Sequence, residues 1–281
     1  MCGQCVIDHV RQSMMDRRRL MFGAAAAAAG IGALSRPAPA SAQAPTPGAP
    51  SGSFTGVADL THTLSDTFPT FGGAPGFSAE QLYERARDGY NLFILTTDEH
   101  TGTHVDAPLH FSADGQSVDE IPAASLVAPL VIVDIAAKAA DDPDAMVTPD
   151  DLAAWMSAHG EMPDGCCVAM HSGWADKVTG DGFRNADEGG TMHFPGFHPE
   201  AAAMLMEDTG AVAIAVDTLS LDHGASADFA THNLWLPSGR YGIECVAGLG
   251  ALPAAGATLV VGAPKHKGGS GGPARVFALT A

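Results

Sequence analysis

The chain has 281 residues, of which 14 are Lys or Arg and 32 are Asp or Glu, so its formal net charge at pH 7 is −18. A surface this acidic repels phosphate backbones and anionic lipid headgroups. The balance of charges therefore excludes a nucleic-acid-binding protein and tolerates bound divalent cations.

Residues 1–42 have the features of an export signal. An arginine run at 17–19 precedes a weakly apolar Ala/Gly-rich segment at 20–34, and a small-x-small cleavage pattern ends at Ala42. The apolar segment is shorter than the ~20 residues that a membrane-spanning helix needs. The pattern predicts a cleaved twin-arginine-type signal peptide and a periplasmic or secreted bacterial protein with no stable membrane anchor after cleavage. The alternatives are an N-terminal membrane anchor and a disordered arm.

The part of the chain after the signal is predicted to be one domain. Residues 43–54 are rich in Pro, Gly and Ser and predict a flexible linker, whereas residues 55–281 contain neither an internal repeat nor a second linker. The cysteines of this part are Cys166, Cys167 and Cys245. Because their number is odd and two of them are adjacent, they do not form a disulfide framework.

Short apolar runs bounded by Gly, Pro or Asp recur along residues 55–281 and are predicted to be strands. They are residues 57–61, 92–97, 129–135, 167–171, 212–216, 258–262 and 275–279.

Three segments between these runs are predicted to be helices. The first, residues 78–89, begins with the capping-box spacing of Ser78 and Gln81. The second has Thr148-Pro149 at its start and Gly160 at its end, and the third runs from Pro199 to Gly210. Since strands outnumber helices and do not alternate strictly with them, the pattern predicts a mixed α/β domain around a largely β core.

The densest cluster of chemically active side chains is DEHTGTHVDAPLHF, residues 98–111. In an extended segment, His104 and Asp106 point to one side and Val105 to the other. Gly102 permits a turn that brings His100 to the same place. Pro108 ends the extended run and turns His110 back over it.

Imidazole nitrogen and carboxylate oxygen are ligands that suit Zn²⁺, Mn²⁺ or Fe²⁺. A single histidine is usually a surface residue or a satisfied core residue. Burying four such groups without partners would be costly, so the cluster predicts a metal or catalytic site.

The segment HTGTHVDAPLHF resembles the HxGTHxDxPxHF signature of the cyclase family of metal-dependent hydrolases, which includes bacterial kynurenine formamidases (arylformamidases) and isatin hydrolases. Other segments are also similar to that family: VADLTHTLSDTFPTFGG, HSGWADK, FPGFHPEAAAMLME and ATHNLWLPSGRYGIECVAGLGALP. The resemblance implies a swivelling β/β/α fold, with a barrel-like β core flanked by helices.

The resemblance implies five metal ligands: His100, His104, Asp106, His232 and Glu244. Asp106 and Glu244 would bridge to a second metal where one is present, and His110 would be the general acid/base. Spacing alone singles out neither His232 nor Glu244. The implied cofactor is a divalent metal, Zn or Mn, with one or two ions per subunit, and the implied assembly is a homodimer or tetramer.

The implied reaction is hydrolysis of a small amide, formamide or cyclic amide, with water activated by the metal as the nucleophile. The expected substrate is an aromatic amide or lactam. Formamidases of the family usually carry a tryptophan in the loop after the first strand, where this chain has Phe68 and Phe71. These two residues and Trp174 are predicted to bind substrate, although Trp174 could instead simply pack.

Four further histidines are less informative. His193 and His223 are candidates for positions near the site, whereas His171 and His198 are expected to be structural or on the surface. Two other functions are open. One is an exported metal- or ligand-binding protein without turnover, and the other is a polyketide cyclase or lyase.

Overall fold

The computed structural model describes residues 54–281, so the predicted signal peptide and almost all of the predicted linker lie outside the described residues. The strands within this range are β1 (Gly56–Asp59), β2 (Phe77–Tyr83), β3 (Leu92–Thr97), β4 (His104–Asp106), β5 (Val127–Asp134), β6 (Met146–Val147), β7 (Cys167–His171), β8 (Gly196–Phe197), β9 (Ala213–Val216), β10 (Tyr241–Glu244), β11 (Ala257–Gly262), β12 (Gly271–Pro273) and β13 (Arg275–Thr280). The α-helices are α1 (Arg85–Asp88), α2 (Ala136–Asp141), α3 (Pro149–His159), α4 (Pro199–Asp208) and α5 (Ala230–Trp235).

Nine strands form one sheet in the order β1-β13-β11-β5-β7-β9-β10-β4-β12. The central strands β5, β7, β9 and β10 are parallel, and antiparallel strands extend the sheet on both sides. The sheet curls into a half-barrel, which confirms the predicted mixed α/β domain with a barrel-like β core. All seven predicted strands are present, with ends that differ by at most two residues.

Alternate residues of the central strands enter two cores on opposite faces of the sheet. In β5, Leu130 and Ile132 enter one core, and Val131 and Val133 enter the other. The second core is covered by α3, α4 and α5, whose side chains pack against the sheet. The first core joins strands from distant parts of the sheet, which is possible because the sheet curls.

The helices predicted from proline at their first position are confirmed. Thr148 caps α3 and forms a capping box with Asp151, and the helix ends at His159, directly before Gly160. Helix α4 begins at Pro199 and is capped by the side chain of His198. No helix within residues 54–281 has the length and apolar character needed to span a bilayer.

The prediction of a helix over residues 78–89 is wrong for most of its length. Residues 77–83 form β2, which pairs antiparallel with β3, and only the four residues of α1 are helical. The apolar strand β3 that follows in sequence offers β2 a hydrogen-bonding partner. Pairing with β3 gives hydrogen bonds to the backbone N–H and C=O groups that would otherwise bond within a helix. This tertiary contact outweighs the helical preference of the capping-box pattern.

Candidate metal centre

Two neighbouring strands carry three of the ligand-type side chains, those of His104, Asp106 and Glu244. Strand β4 carries His104 and Asp106 and lies between β10 and β12. In the register of the β4–β10 pair, Glu244 lies opposite His104 and Gly242 lies opposite Asp106. Residues far apart in the chain therefore become direct cross-strand neighbours.

Glycine at position 271 makes room for this arrangement. Gly271 of β12 lies opposite Asp106. A Cβ at this position would lie 2.3 Å from the carbonyl oxygen of Val105 and 2.7 Å from Cε1 of His100. Any other residue would therefore displace either the strand or the His100 ring.

Hydrogen bonds assign the tautomers of the two most buried imidazoles. Nδ1 of His104 donates to the carbonyl oxygen of Gly102 at 2.8 Å, and Nδ1 of His232 donates to Asp222 Oδ2 at 2.6 Å. When either ring is neutral, as a metal ligand must be, its Nε2 is consequently an acceptor. Backbone N–H groups at the start of α5, those of Thr231 and His232, also donate to Asp222, which holds this end of the helix in place.

These acceptor nitrogens face two carboxylates. Nε2 of His104 lies 3.3 Å from Asp106 Oδ1 and 3.4 Å from Glu244 Oε2. Nε2 of His232 lies 3.1 Å from Glu244 Oε1 and 3.7 Å from Asp106 Oδ2. Both carboxylates thus lie between the imidazoles of His104 and His232, and the whole set consists of acceptors directed at one small volume.

Two atoms of the cluster are buried without a hydrogen-bond partner among the described residues, His104 Nε2 and Asp106 Oδ2. An unpaired buried acceptor costs about 1–3 kcal/mol, and more when it is charged. A divalent cation would supply positive charge to all of these lone pairs at once, so the residues present fit a metal site.

His100 is held from both sides. Its Nδ1 lies 2.6 Å from Asp106 Oδ1, and its Nε2 lies 2.9 Å from Ser270 Oγ. Ser270 donates to Glu99 at 2.6 Å, and Glu99 in turn accepts from His266 at 2.7 Å. This chain of hydrogen bonds fixes the orientation of the His100 ring. A carboxylate usually has the same effect on a metal-binding histidine.

Charges inside the cluster shift its titration. Burial alone would lower the pKa of His104, but the carboxylates of Asp106 and Glu244 outweigh burial and raise this pKa to about 9. Burial and the neighbouring charge of Asp106 raise the pKa of Glu244. The pKa of Asp106 stays well below its usual range, because the surrounding imidazoles overcome the effect of burial. Without a metal, protons supply the positive charge that the carboxylates require.

His110 lies over this cluster. Its ring stacks on that of His100, with centroids 3.7 Å apart and planes 21° apart. Burial lowers the pKa of His110 to about 4, and the neighbouring imidazoles add to this effect. His110 is therefore a neutral base at pH 7. It also lies close enough to His100 and Asp106 for all three to approach one ion.

A cavity of about 260 Å³ opens onto the cluster. His100, His104, His110, His232 and Glu244 line it, and the rings of Phe71, Phe111 and Phe229 form an aromatic wall. A cavity of this size and lining suits a small aromatic molecule.

The structure separates the three predicted substrate-binding residues. Phe71 lines the metal cavity, but Phe68 and Trp174 do not. Trp174 is buried, and its Nε1 donates to the carbonyl oxygen of Phe183 at 2.8 Å, so its polar atom is already satisfied within the core. Phe68 packs in the same core and borders a second cavity.

The four less informative histidines also lie outside the metal cavity. His193 pairs with Asp144 at 2.7 Å, and His198 caps α4. His171 lies 3.6 Å from Asp217. His223 follows Asp222, and it is this aspartate that holds His232.

Asp222, Ser270, Phe111 and Phe229 were not predicted to take part in the site. Nothing in the local sequence marks Asp222 or Ser270, because each acts through a fold contact on a histidine, which lies 10 residues away for Asp222 and 170 residues away for Ser270. Phe111 could have been found, since it is adjacent to His110 in the motif.

Comparison with known proteins agrees with this geometry. The family model described as "Putative cyclase" matches residues 58–223, which include His100 to His110 but not His232 or Glu244. The chain belongs to the cyclase family. The family predicted from the sequence is thereby confirmed.

Members of the family with named activities are similar over most of the chain. Isatin hydrolase of Roseibium aggregatum is 34% identical over 245 residues, which are 79% of this chain and 91% of that protein. Isatin hydrolase A from Labrenzia aggregata superimposes with a TM-score of 0.75 at 36% identity, over 80% of this chain and 93% of that one. Kynurenine formamidase of Salinibacter ruber is 29% identical over 157 residues, 55% of this chain and 64% of that protein. This family member is accordingly an enzyme, a metal-dependent amide hydrolase.

Proposed function

We propose that the protein hydrolyses a small aromatic amide, formamide or cyclic amide in the metal cavity. The observation that carries this proposal is the set of buried imidazole and carboxylate acceptors that face one volume at the end of an aromatic cavity. The similarity to isatin hydrolases and kynurenine formamidases supports the same substrate class.

A divalent cation, Zn²⁺ or Mn²⁺, would be held by His100, His104, Asp106, His232 and Glu244. Bound there, it would polarise a carbonyl group and lower the pKa of water. The placement of Asp106 and Glu244, each between the imidazoles of His104 and His232, fits a site for two ions as well as a site for one.

His110 is proposed as the general acid/base. Its imidazole is neutral at pH 7, so it can accept a proton from the attacking water and return it to the leaving nitrogen. Stacking on His100 keeps its ring at the edge of the cavity. Phe71, Phe111 and Phe229 would hold the aromatic ring of the substrate and exclude water from it.

The experiment that tests this function is metal analysis of purified residues 43–281, followed by assays with Zn²⁺ and with Mn²⁺ against N-formylkynurenine, isatin and simple lactams. Turnover that requires metal supports the proposal. Bound metal without turnover of any of these compounds would favour a binding protein. A product that contains no oxygen from ¹⁸O-labelled water would favour a cyclase or lyase.

We also propose a homodimer, formed through the hairpin of β2 and β3. These strands pair only with each other among the described residues, and all six residues of β3 are exposed. Leu92, Phe93, Ile94 and Leu95 are 43–62% exposed. A two-stranded ribbon is marginally stable alone, and contiguous apolar patches of this kind usually mark interfaces.

A second copy of the chain is the partner that this edge fits. Antiparallel pairing of β3 with its own symmetry mate would produce a four-stranded sheet with a closed two-fold axis. Export to the periplasm remains a proposal that the arginine run and cleavage pattern of residues 1–42 support.

A further inference from the structure

A second cavity, of about 1030 Å³, adjoins the metal cavity. Pro69 and Thr70 line both cavities, so the loop of residues 68–75 forms the wall between them. Phe68 borders the second cavity and Phe71 borders the metal cavity. A molecule larger than the metal cavity could therefore extend past this loop into the second cavity.

Arg184 lines the second cavity, and its guanidinium group has few partners. Its Nη2 donates to the carbonyl oxygen of Phe71 at 3.1 Å, and its Nη1 lies against Gly73. Its Nε is buried and has no acceptor among residues 54–281. A guanidinium carries five N–H donors in a fork that matches a carboxylate, so most of its hydrogen-bonding capacity is unused.

Arg184 has no ionic partner among the described residues, and in this it resembles most of the lysines and arginines there. Arg87, Lys138 and Arg275 each pair with an Asp at 2.7–2.8 Å. Within residues 54–281, no carboxylate oxygen lies within 4.0 Å of the Arg184 guanidinium. Arg184 differs from those other residues because its Nε is buried without an acceptor, which leaves its charge available to another group.

The charges of the cavity are unevenly distributed. Its two carboxylates, Asp66 and Asp181, are exposed, where water and salt screen them. Arg184 and His62 are more buried, and the buried Nε2 of His62 also has no hydrogen-bond partner among the described residues. The rings of His62 and Phe68 lie against each other, with centroids 5.9 Å apart. The inner part of the cavity thus combines an aromatic surface with a cation.

We propose that Arg184 binds an organic carboxylate group of the substrate in this second cavity. The inference rests on the proposed amide hydrolysis and narrows its substrate class. The substrate is an aromatic amide or formamide with a carboxylate remote from the bond that is cleaved. The amide occupies the metal cavity, the chain passes the loop of residues 68–75, and the carboxylate meets the free donors of Arg184.

The test compares an anionic substrate with its neutral counterpart. The probes are 4-formamidophenylacetate and its methyl ester, assayed with the metal-loaded enzyme. Wild-type enzyme is expected to prefer the carboxylate by about tenfold or more in KM. Arg184→Gln is expected to raise the KM of the acid far more than that of the ester, so that the preference is lost, and Arg184→Lys is expected to restore part of it.

Arg87→Gln is the matched control, because Arg87 is an exposed arginine that pairs with Asp88 and does not line the cavity. It should retain the wild-type preference. Equal losses for the acid and the ester in Arg184→Gln would mean that Arg184 only holds the loop through Phe71, which overturns the proposal. No change for either compound overturns it as well.

A binding measurement separates this inference from the proposed reaction. Calorimetric titration with 4-ethylbenzoate and with 4-ethylbenzyl alcohol uses ligands that have no amide bond to cleave. Binding of the benzoate alone should weaken about tenfold in Arg184→Gln. If no amide is hydrolysed but Arg184→Gln still weakens binding of the benzoate, the proposed reaction is wrong and the proposed carboxylate site is supported. If amides are hydrolysed but wild type and Arg184→Gln bind the benzoate equally, the proposed carboxylate site is wrong.

Discussion

Folded proteins usually bury apolar side chains and expose charged ones. The metal centre and the β2–β3 hairpin depart from this rule in opposite ways. In the metal centre, Asp106, Glu244 and two imidazoles are almost completely buried. In the hairpin, four consecutive large apolar residues of β3 are exposed. The two regions are also connected, since the end of β3 is three residues before His100.

Both departures carry a free-energy cost in an isolated, metal-free chain. Buried acceptors lack positive charge in the first region, and apolar surface remains in water in the second. Each cost is removed by a partner of a particular kind, a divalent cation in one case and a second polypeptide in the other. Buried charge and exposed apolar surface thus both indicate a binding site, because each is unfavourable until a partner binds.

The largest effect is expected when the charge at the centre of the cluster is removed. Asp106→Asn keeps the size of the side chain but removes a carboxylate that faces three imidazoles. Metal content should fall to background, and kcat/KM should fall by about 10³-fold or more. Asp141→Asn, at an exposed aspartate of α2, should change neither. Retention of metal by Asp106→Asn would contradict the assignment of the cluster.

A smaller effect is expected at His110. His110→Ala should retain the metal and lower kcat by about 10²-fold, the usual contribution of a general acid/base. Mass spectrometry of the native protein and steady-state kinetics measure the two quantities. His193→Ala is the control, because this histidine pairs with Asp144 outside the cavity. If His110→Ala lost metal and activity together, His110 would be a ligand.

The affinity for metal should depend on pH. The pKa of His104 in the metal-free fold is raised to about 9 from its ordinary 6.5. The proton therefore stabilises the metal-free fold fully below pH 6.5, and this contribution is lost as the pH rises through 9. A metal must displace that proton. It must also displace one from His232, whose pKa is raised well above its ordinary value because neighbouring carboxylates outweigh burial. The affinity for metal should therefore rise by at least about tenfold per pH unit between pH 6.5 and 9. Competition with a chromophoric chelator measures this, and a flat profile would show that His104 holds no proton in the metal-free protein.

The smallest effect on chemistry, but a clear effect on assembly, is expected in the hairpin. Leu95→Glu places a charge on the exposed strand β3 and should convert the dimer to a monomer in light scattering, while metal binding is kept. Val57→Glu is the matched control, because Val57 is 61% exposed and Leu95 is 62% exposed. A wild-type monomer, or the same dissociation in both variants, would exclude the hairpin as the interface.

The sequence by itself determined the parts of this protein whose physics is local. Apolar runs bounded by Gly, Pro or Asp predicted six of the nine strands of the large sheet, and proline at the first helical position predicted α3 and α4. Within the motif, His104 and Asp106 share a face because successive residues of a strand alternate. Gly102, with φ of +67°, forms the predicted turn that returns His100.

Only the tertiary structure decided the contacts that close the site and shape the hairpin. Glu244 reaches His104 because β10 pairs with β4 in one register, and a shift of one residue would turn it to the other face. Asp222 was missed because its partner, His232, comes from the next helix. Residues 77–83 became a strand rather than a helix because β3 was available to pair with them. Such outcomes depend on which segments meet in the folded chain, and local sequence patterns do not contain that information.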